Sequence, residues 1–228
     1  MDSKNKRVAL VTGATGGLGT AMCKELYDDG YHVVANYRNK QKADEWYASM
    51  RTDGYDIELF EGDVCNFDSM ATMIKEIEDK VGPIDTLVNN AGFGVSAPFA
   101  KSDASQTSGM MQLNMVALTE LTHIVLPMML ERGHGRIMNI ASVVAFQPCP
   151  YFAVYAATKA YVLSFTEALA EEMRGRGILV TAVCPGSTAT EFHDVAHTKG
   201  SLLTQIQDTA ETVAEEGYKA LNNGKSVV

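Results

Sequence analysis

Short apolar runs recur along the chain, and each is followed by a longer segment whose apolar residues return every three or four positions. The runs are Arg7–Val11, His32–Ala35, Ile57–Phe60, Thr86–Val88, Arg136–Ile140 and Leu179–Val183. Between the first two, residues 19–29 place Ala21, Met22, Leu26 and Tyr27 at helical spacing, and Gly30 stands where a C-terminal cap is expected. The longest helical patterns cover 105–130, which carries Pro127, and 152–173, rich in Ala, Leu and Glu. Strand and helix in steady alternation predict repeated βαβ units around a parallel sheet. No repeat, low-complexity tract or Pro/Ser linker divides the chain, so 1–228 is expected to be a single domain.

Composition narrows the class. In 228 residues, 46% hydrophobic content is enough for a full core, which excludes disorder as the main state. Nineteen basic residues against 28 acidic ones leave a net charge of −9, a field that repels polyanions and argues against nucleic-acid binding. Cys23, Cys65, Cys149 and Cys184 lie far apart with no CxxC pair, the pattern of a reducing compartment. The charged start has no apolar stretch behind it, and no run is read as approaching the roughly 18 residues of a membrane span. A cytoplasmic protein with no membrane partner is the expectation.

The first candidate chemistry follows the first strand: Thr12-Gly13-Ala14-Thr15-Gly16-Gly17-Leu18-Gly19, after which a helix opens. Glycines let the backbone turn tightly and approach a pyrophosphate, whose charge rests on the N–H groups at the start of the helix. A plain strand-to-helix loop is the alternative on the glycines alone, but the strand before and the helix after favour a dinucleotide. At the end of the second strand stand Asn36-Tyr37-Arg38. There is no carboxylate here to repel a ribose 2′-phosphate and one guanidinium to clamp it, so NADP (as NADPH) is expected over NAD. Arg38 as a solvated loop residue stays open.

The second lies downstream. Tyr155 and Lys159 are four apart in Tyr-Ala-Ala-Thr-Lys, which on a helix puts phenol and ammonium on one face. A phenol titrating near pH ~10 is a poor acid–base catalyst at neutrality, and an adjacent ammonium is expected to bring its pKa down. Ser142 follows the strand 136–140, at the sheet end where α/β folds place ligands, and its hydroxyl can orient a carbonyl.

Taken together, Thr12 to Gly19, Asp63-Val64, Asn89-Asn90-Ala91-Gly92, Asn114, Ser142, Tyr155, Lys159 and Pro185-Gly186 stand in the order of classical short-chain dehydrogenases. The chain resembles that family over essentially its whole length. The resemblance implies a Rossmann-type, doubly wound parallel sheet in three α/β/α layers, strand order 3-2-1-4-5-6-7. It implies that Tyr155 is the general acid in carbonyl reduction and Ser142 positions the substrate oxygen. Lys159 would tune the phenol and bond the nicotinamide ribose, and Asn114 would hold a water in a proton relay. On the cofactor side, Gly13, Thr15, Gly16, Gly17, Leu18 and Gly19 would cradle phosphate, and Asn36, Tyr37 and Arg38 the adenosine ribose. Asp63 and Val64 would receive the adenine, and Asn90, Ala91 and Gly92 would line the groove. Pro185 and Gly186 with Thr188 and Thr190 would hold the carboxamide and phosphates. The family's chemistry calls for no metal.

Other signals are read more plainly. His193 and His197, with Glu191 and Asp194 nearby, have metal-ligand spacing but follow the Pro-Gly turn, where the family carries a lid, so a solvated lid face is preferred. Phe93, Phe146, Phe152 and Phe192 are either core or the walls of an apolar pocket.

Two accents are heard. Up to about Gly92 the phrasing is similar to NADPH-dependent acetoacetyl-CoA reductases; from Arg136 through Cys184-Pro-Gly it is similar to DltE-like short-chain oxidoreductases. A hybrid, engineered or recombined, with a junction near 82–95 is the expectation. Gly224-Lys-Ser-Val-Val looks like the opening of a truncated last strand, which bears on activity and assembly. The leading reading is reversible, NADPH-dependent reduction of a small or medium uncharged ketone. The alternatives are an acetoacetyl-CoA or 3-oxoacyl reductase, a non-catalytic nucleotide-binding scaffold, and a sensor on the same fold. Assembly is expected as a homodimer, with a homotetramer as the alternative, through the long helices holding Asn114 and Tyr155.

Overall fold

A computed structural model describes residues 6–187 and 208–228. Six strands form its sheet: β1 (Val8–Val11), β2 (His32–Tyr37), β3 (Glu58–Glu61), β4 (Ile84–Asn89), β5 (Gly135–Ile140) and β6 (Ile178–Val183). All pairings are parallel and the order is 3-2-1-4-5-6. Between them run α1 (Gly17–Asp28), α2 (Lys40–Thr52), α3 (Phe67–Lys80), α4 (Ala104–Met111), α5 (Leu118–Arg132) and α6 (Ala153–Glu172), and α7 (Ala210–Asn222) follows β6. This is the expected Rossmann-type architecture. The expected seventh strand is a single parallel bridge, Ala182 to Val227, at the open side of β6.

The period of two along β1 divides the interior. Ala9 and Val11 face a core with Met22, Leu26, Val213 and Leu221 of α1 and α7. Val8 and Leu10 face the opposite core, with Ile74, Ile77, Leu121 and Val125 of α3 and α5. A sheet covered on both faces places its ligand crevice at the carboxyl ends of the strands, where the chain order reverses between β1 and β4.

Register across the sheet is tied by a fully buried polar chain. The Asn89 amide donates to Thr122 Oγ1 at 3.0 Å and to Asn139 Oδ1 at 2.8 Å, and the Asn139 amide donates to Thr166 Oγ1 at 2.9 Å. Asn89 and Asn139 are cross-strand partners on β4 and β5, so a slip in register would leave these groups unpaired.

The single long helix expected over 105–130 is three pieces: α4, a π-helical stretch Gln112–Ala117, and α5, which continues through Pro127. The widened turn holds Asn114, and such turns recur at functional sites. Ala104–Arg132 is also long and apolar enough to meet the length and composition of a membrane span, which corrects the sequence reading. Here its inner face packs on α3, β4 and β5.

Candidate active site

The glycine turn closes by contact. Gly13 has φ +61°, and a Cβ there would stand 2.9 Å from the Ala91 Cα. At Gly19 a Cβ would stand 2.3 Å from the Gly13 carbonyl oxygen and 2.8 Å from Asn90 Nδ2. Helices α2, α3, α4 and α7 begin under a side-chain cap from Asn39, Asn66, Asp103 and Thr209. Helix α1 begins on Gly16 with no side-chain cap, the kind of helix start that can receive an anion. Thr15, Gly16, Leu18 and Ala91 are partly exposed around it and Gly92 is exposed. The turn thus fits a pyrophosphate.

The side-chain amides of two of the expected cofactor residues are bonded within the protein. The Asn90 amide donates to the Thr12 and Gly13 carbonyls at 2.9 and 3.0 Å, and the Asn90 and Ala91 N–H groups donate to Thr12 Oγ1 at 3.1 Å. Its side chain therefore ties β4 to the glycine turn. Asn36 is buried and donates to the Gly62 carbonyl at 2.9 Å, so its side chain supports the β2–β3 junction and is not turned to the crevice. What β2 presents outward is partly exposed Tyr37 and exposed Arg38. Arg38 makes no hydrogen bond or ion pair among the described residues, which leaves its guanidinium available to an anion. Asp63 accepts from the Cys65 N–H at 2.9 Å, folding the segment that carries buried Val64.

The candidate catalytic residues gather at the ends of β4, β5 and β6. Ser142 leaves β5 in extended backbone and opens a short 3₁₀ turn, Val143–Phe146, where its Oγ accepts from the Val144 N–H. Tyr155 lies in the first turn of α6, buried, with the Phe152 ring 5.8 Å away between centroids. Ser142 and Tyr155 are hydrogen-bonded through their side chains. The Lys159 Nζ donates to the Ile140 carbonyl at 2.6 Å and stands 5.8 Å from the Tyr155 ring centroid. Asn114 is 2% exposed; its Oδ1 accepts from the Phe93 N–H at 3.1 Å, and its amide donates to the Phe93 carbonyl at 2.9 Å and to Thr158 Oγ1 at 3.1 Å. Gly92 fits beneath this group: a Cβ there would lie 3.0 Å from Asn114 Oδ1 and 3.6 Å from Lys159 Nζ.

The electrostatics correct one expectation. Burial pushes the Tyr155 phenol up to about 12, opposed by the Ser142 hydrogen bond, and Lys159 does not bring it down. Desolvation penalises the phenolate, and the Lys159 ammonium is held on the Ile140 carbonyl. Burial also pushes Lys159 down to about 8, with nearby Cys184 acting the other way. The phenol is thus held protonated at neutral pH, the state of a proton donor.

Pro185 and Gly186 stand beside the serine, the Val143 N–H donating to the Pro185 carbonyl at 3.0 Å. Thr188, Thr190, Phe192 and the His193/His197 pair lie outside the described residues. Val143 (47% exposed), Phe146 (62%) and Tyr151 (64%) are exposed apolar residues on the segment that joins Ser142 to α6. Tyr151 has φ +66° and accepts from the Ala97 N–H at 2.9 Å, pinning this segment to the loop after β4. Phe152 and Phe93 pack against Tyr155 and Met110.

Sequence reasoning gave no role to Thr158, to the Thr12 hydroxyl or to the Ile140 carbonyl. Thr158 sits between Tyr155 and Lys159 in the motif itself, but that it faces Asn114 depends on helix packing.

A family model described as short chain dehydrogenase matches residues 7–199. Nodulation protein G of Azospirillum brasilense is 42% identical over 189 residues, covering 82% of this chain and 77% of that protein. Acetoacetyl-CoA reductase of Allochromatium vinosum is 41% identical over 186 residues, covering 81% and 76%. Among solved structures, a variant of actinorhodin polyketide ketoreductase with NADPH superposes with a TM-score of 0.91 at 28% identity, over 100% of this chain and 97% of that one. A glycine turn opening an uncapped helix, a serine after β5 and a Tyr–Lys pair on α6 are thus found in a chain that belongs to the short-chain dehydrogenase family.

Proposed function

We propose that this protein is an NADPH-dependent oxidoreductase that reduces a ketone to an alcohol, reversibly. The observation that carries the reading is the gathering of buried Tyr155, Ser142 and Lys159 at the same sheet end as the glycine turn. Gly13, Thr15, Gly16, Gly17, Leu18 and Gly19 would hold the pyrophosphate, Tyr37 and Arg38 the adenosine ribose and its 2′-phosphate, and Asp63 and Val64 the adenine. Asn90, Ala91 and Gly92 would line the groove, Pro185, Gly186, Thr188 and Thr190 its nicotinamide end. When bound, the cofactor supplies the hydride.

Ser142 orients the carbonyl oxygen and Tyr155 donates the proton that oxygen takes up as negative charge develops on it. Lys159 stands next to that donor, its Nζ 5.8 Å from the Tyr155 ring centroid, and would bond the nicotinamide ribose. A proton relay through water at Asn114 would carry the proton onward.

The exposed Val143, Phe146 and Tyr151 beside Ser142 favour an uncharged ketone of small or medium size. Acetoacetyl-CoA is the second reading, favoured by the 41% identity to an acetoacetyl-CoA reductase. Four unpaired cysteines agree with a cytoplasmic setting. Met111, Val116 and Tyr161 form an outward face of the helices around Asn114 and α6, with Tyr161 stacked on Phe165 at 6.0 Å, and a homodimer would cover it. A recombined origin would put its seam near 82–95, on β4 and the loop after it. Comparing each half separately with relatives tests that, and equal likeness of both halves to one relative would overturn it.

The test of function is a paired titration of NADPH and NADH followed by turnover on a carbonyl panel that includes acetoacetyl-CoA. NADPH-selective binding with ketone turnover is the expected result; binding with no turnover on any carbonyl would identify a nucleotide-binding scaffold.

A further inference from the structure

Thr158 is 1% exposed, and its hydroxyl is committed on both sides: it donates to the Tyr155 carbonyl at 2.7 Å and accepts from Asn114 Nδ2 at 3.1 Å. Both donors of the Asn114 amide are used, the other on the Phe93 carbonyl, and its oxygen accepts from the Phe93 N–H. One hydroxyl thereby joins the loop after β4, the π-helical stretch and the first turn of α6. Those are the three elements that meet around Tyr155 and Lys159.

We infer that Thr158 is a positioning residue that holds Asn114 in register with Tyr155 and Lys159, so that the proton donor and its relay act as one unit. A π-helical turn interrupts the regular helical hydrogen-bond pattern. The contact to Thr158 ties Asn114, which stands in that turn, to α6. Valine has threonine's shape without the hydroxyl, so Thr158→Val removes the link and leaves an Asn114 N–H buried without a partner.

The inference rests on the reductase reading, and its test separates the two. Thr158→Val should lower kcat for ketone reduction by roughly tenfold while the NADPH Kd and the ketone KM stay within about twofold. Thr158→Ser, which keeps the hydroxyl, should restore kcat to within about twofold of wild type. In a double-mutant cycle, Asn114→Ala combined with Thr158→Val should turn over no more slowly than Asn114→Ala alone, because both break one unit. Wild-type kcat in Thr158→Val, equal losses of kcat and NADPH affinity, or no gain from serine would overturn the assignment. If Thr158→Val does not fold by circular dichroism, Thr158→Ala is read by the same criteria. Normal reduction by Tyr155→Phe would sink the reductase reading itself; an inactive Tyr155→Phe beside an unimpaired Thr158→Val would sink only this one.

Discussion

The Lys159 ammonium donates to the Ile140 carbonyl oxygen at 2.6 Å, two residues before Ser142. The cation on α6 is therefore anchored to the end of β5, and the same contact sets how far α6 stands from the serine that β5 delivers. Lys159 is thus a strut between helix and sheet as well as a charge beside the phenol.

With Tyr155 held up at about 12 and Lys159 pushed down to about 8, the acid stays protonated long after the cation is lost. The kcat/KM for reduction should be level between pH 6 and about 8 and fall above it as Lys159 gives up its proton. Tyr155→Phe should abolish turnover while leaving NADPH affinity within about twofold. Stopped-time assays across pH with parallel binding titrations check both, and unchanged turnover in the phenylalanine variant removes Tyr155 as the acid.

Lys159 also leaves a mark on stability. Its folded pKa, about 8, lies below its ordinary 10.5, so between those pH values the unfolded chain binds more protons than the folded one. Stability must rise with pH through that window, by about 3 kcal/mol if Lys159 acts alone. Urea unfolding of wild type and Lys159→Met at pH 7.5 and 10 isolates this contribution as a difference in slope. Parallel slopes would mean that the amine is not desolvated as described.

Arg38 is exposed with no partner among the described residues, so removing it disturbs little of the fold. Arg38→Ala should weaken NADPH by roughly tenfold or more, the scale of a charge-assisted contact to phosphate, and leave NADH nearly unchanged. Calorimetric titration of each cofactor decides; equal losses for both would refute the phosphate-clamp reading.

Gly19 has no room for a methyl group, since a Cβ would lie 2.3 Å from a backbone oxygen. Gly19→Ala must open the turn or displace Asn90, at a cost of about 1–3 kcal/mol. A lower Tm together with lost stabilisation by NADPH is the expected pair of results. A variant with wild-type Tm and affinity would show that the turn is looser than its contacts indicate.

Much of the site was legible in the sequence because its signals are local. The glycines of residues 13–19 follow a strand and open a helix within one short segment, and Tyr155 and Lys159 share a helix face by spacing alone. The order of the strands was legible only through the family resemblance. What stayed hidden depended on partners distant in the chain. Asn36 and Asn90 have the composition of ligand-facing residues, yet Gly62 and the Thr12–Gly13 carbonyls, brought near by strand pairing, take up their amides. The π-helical turn Gln112–Ala117 was likewise not read from the sequence, where 105–130 was expected as one helix.

The alternation of apolar runs by itself determined an α/β sheet buried on both faces, and the placement of glycine, serine, tyrosine and lysine pointed to the strand ends proposed to carry chemistry. Only the tertiary structure decided the protonation states and the links between elements. Burial pushes the Tyr155 phenol up, and whether a hydroxyl such as that of Thr158 meets an amide 44 residues away is set by how two helices pack. Desolvation and long-range hydrogen bonds are properties of assembled surroundings, and a linear order of residues carries them only indirectly.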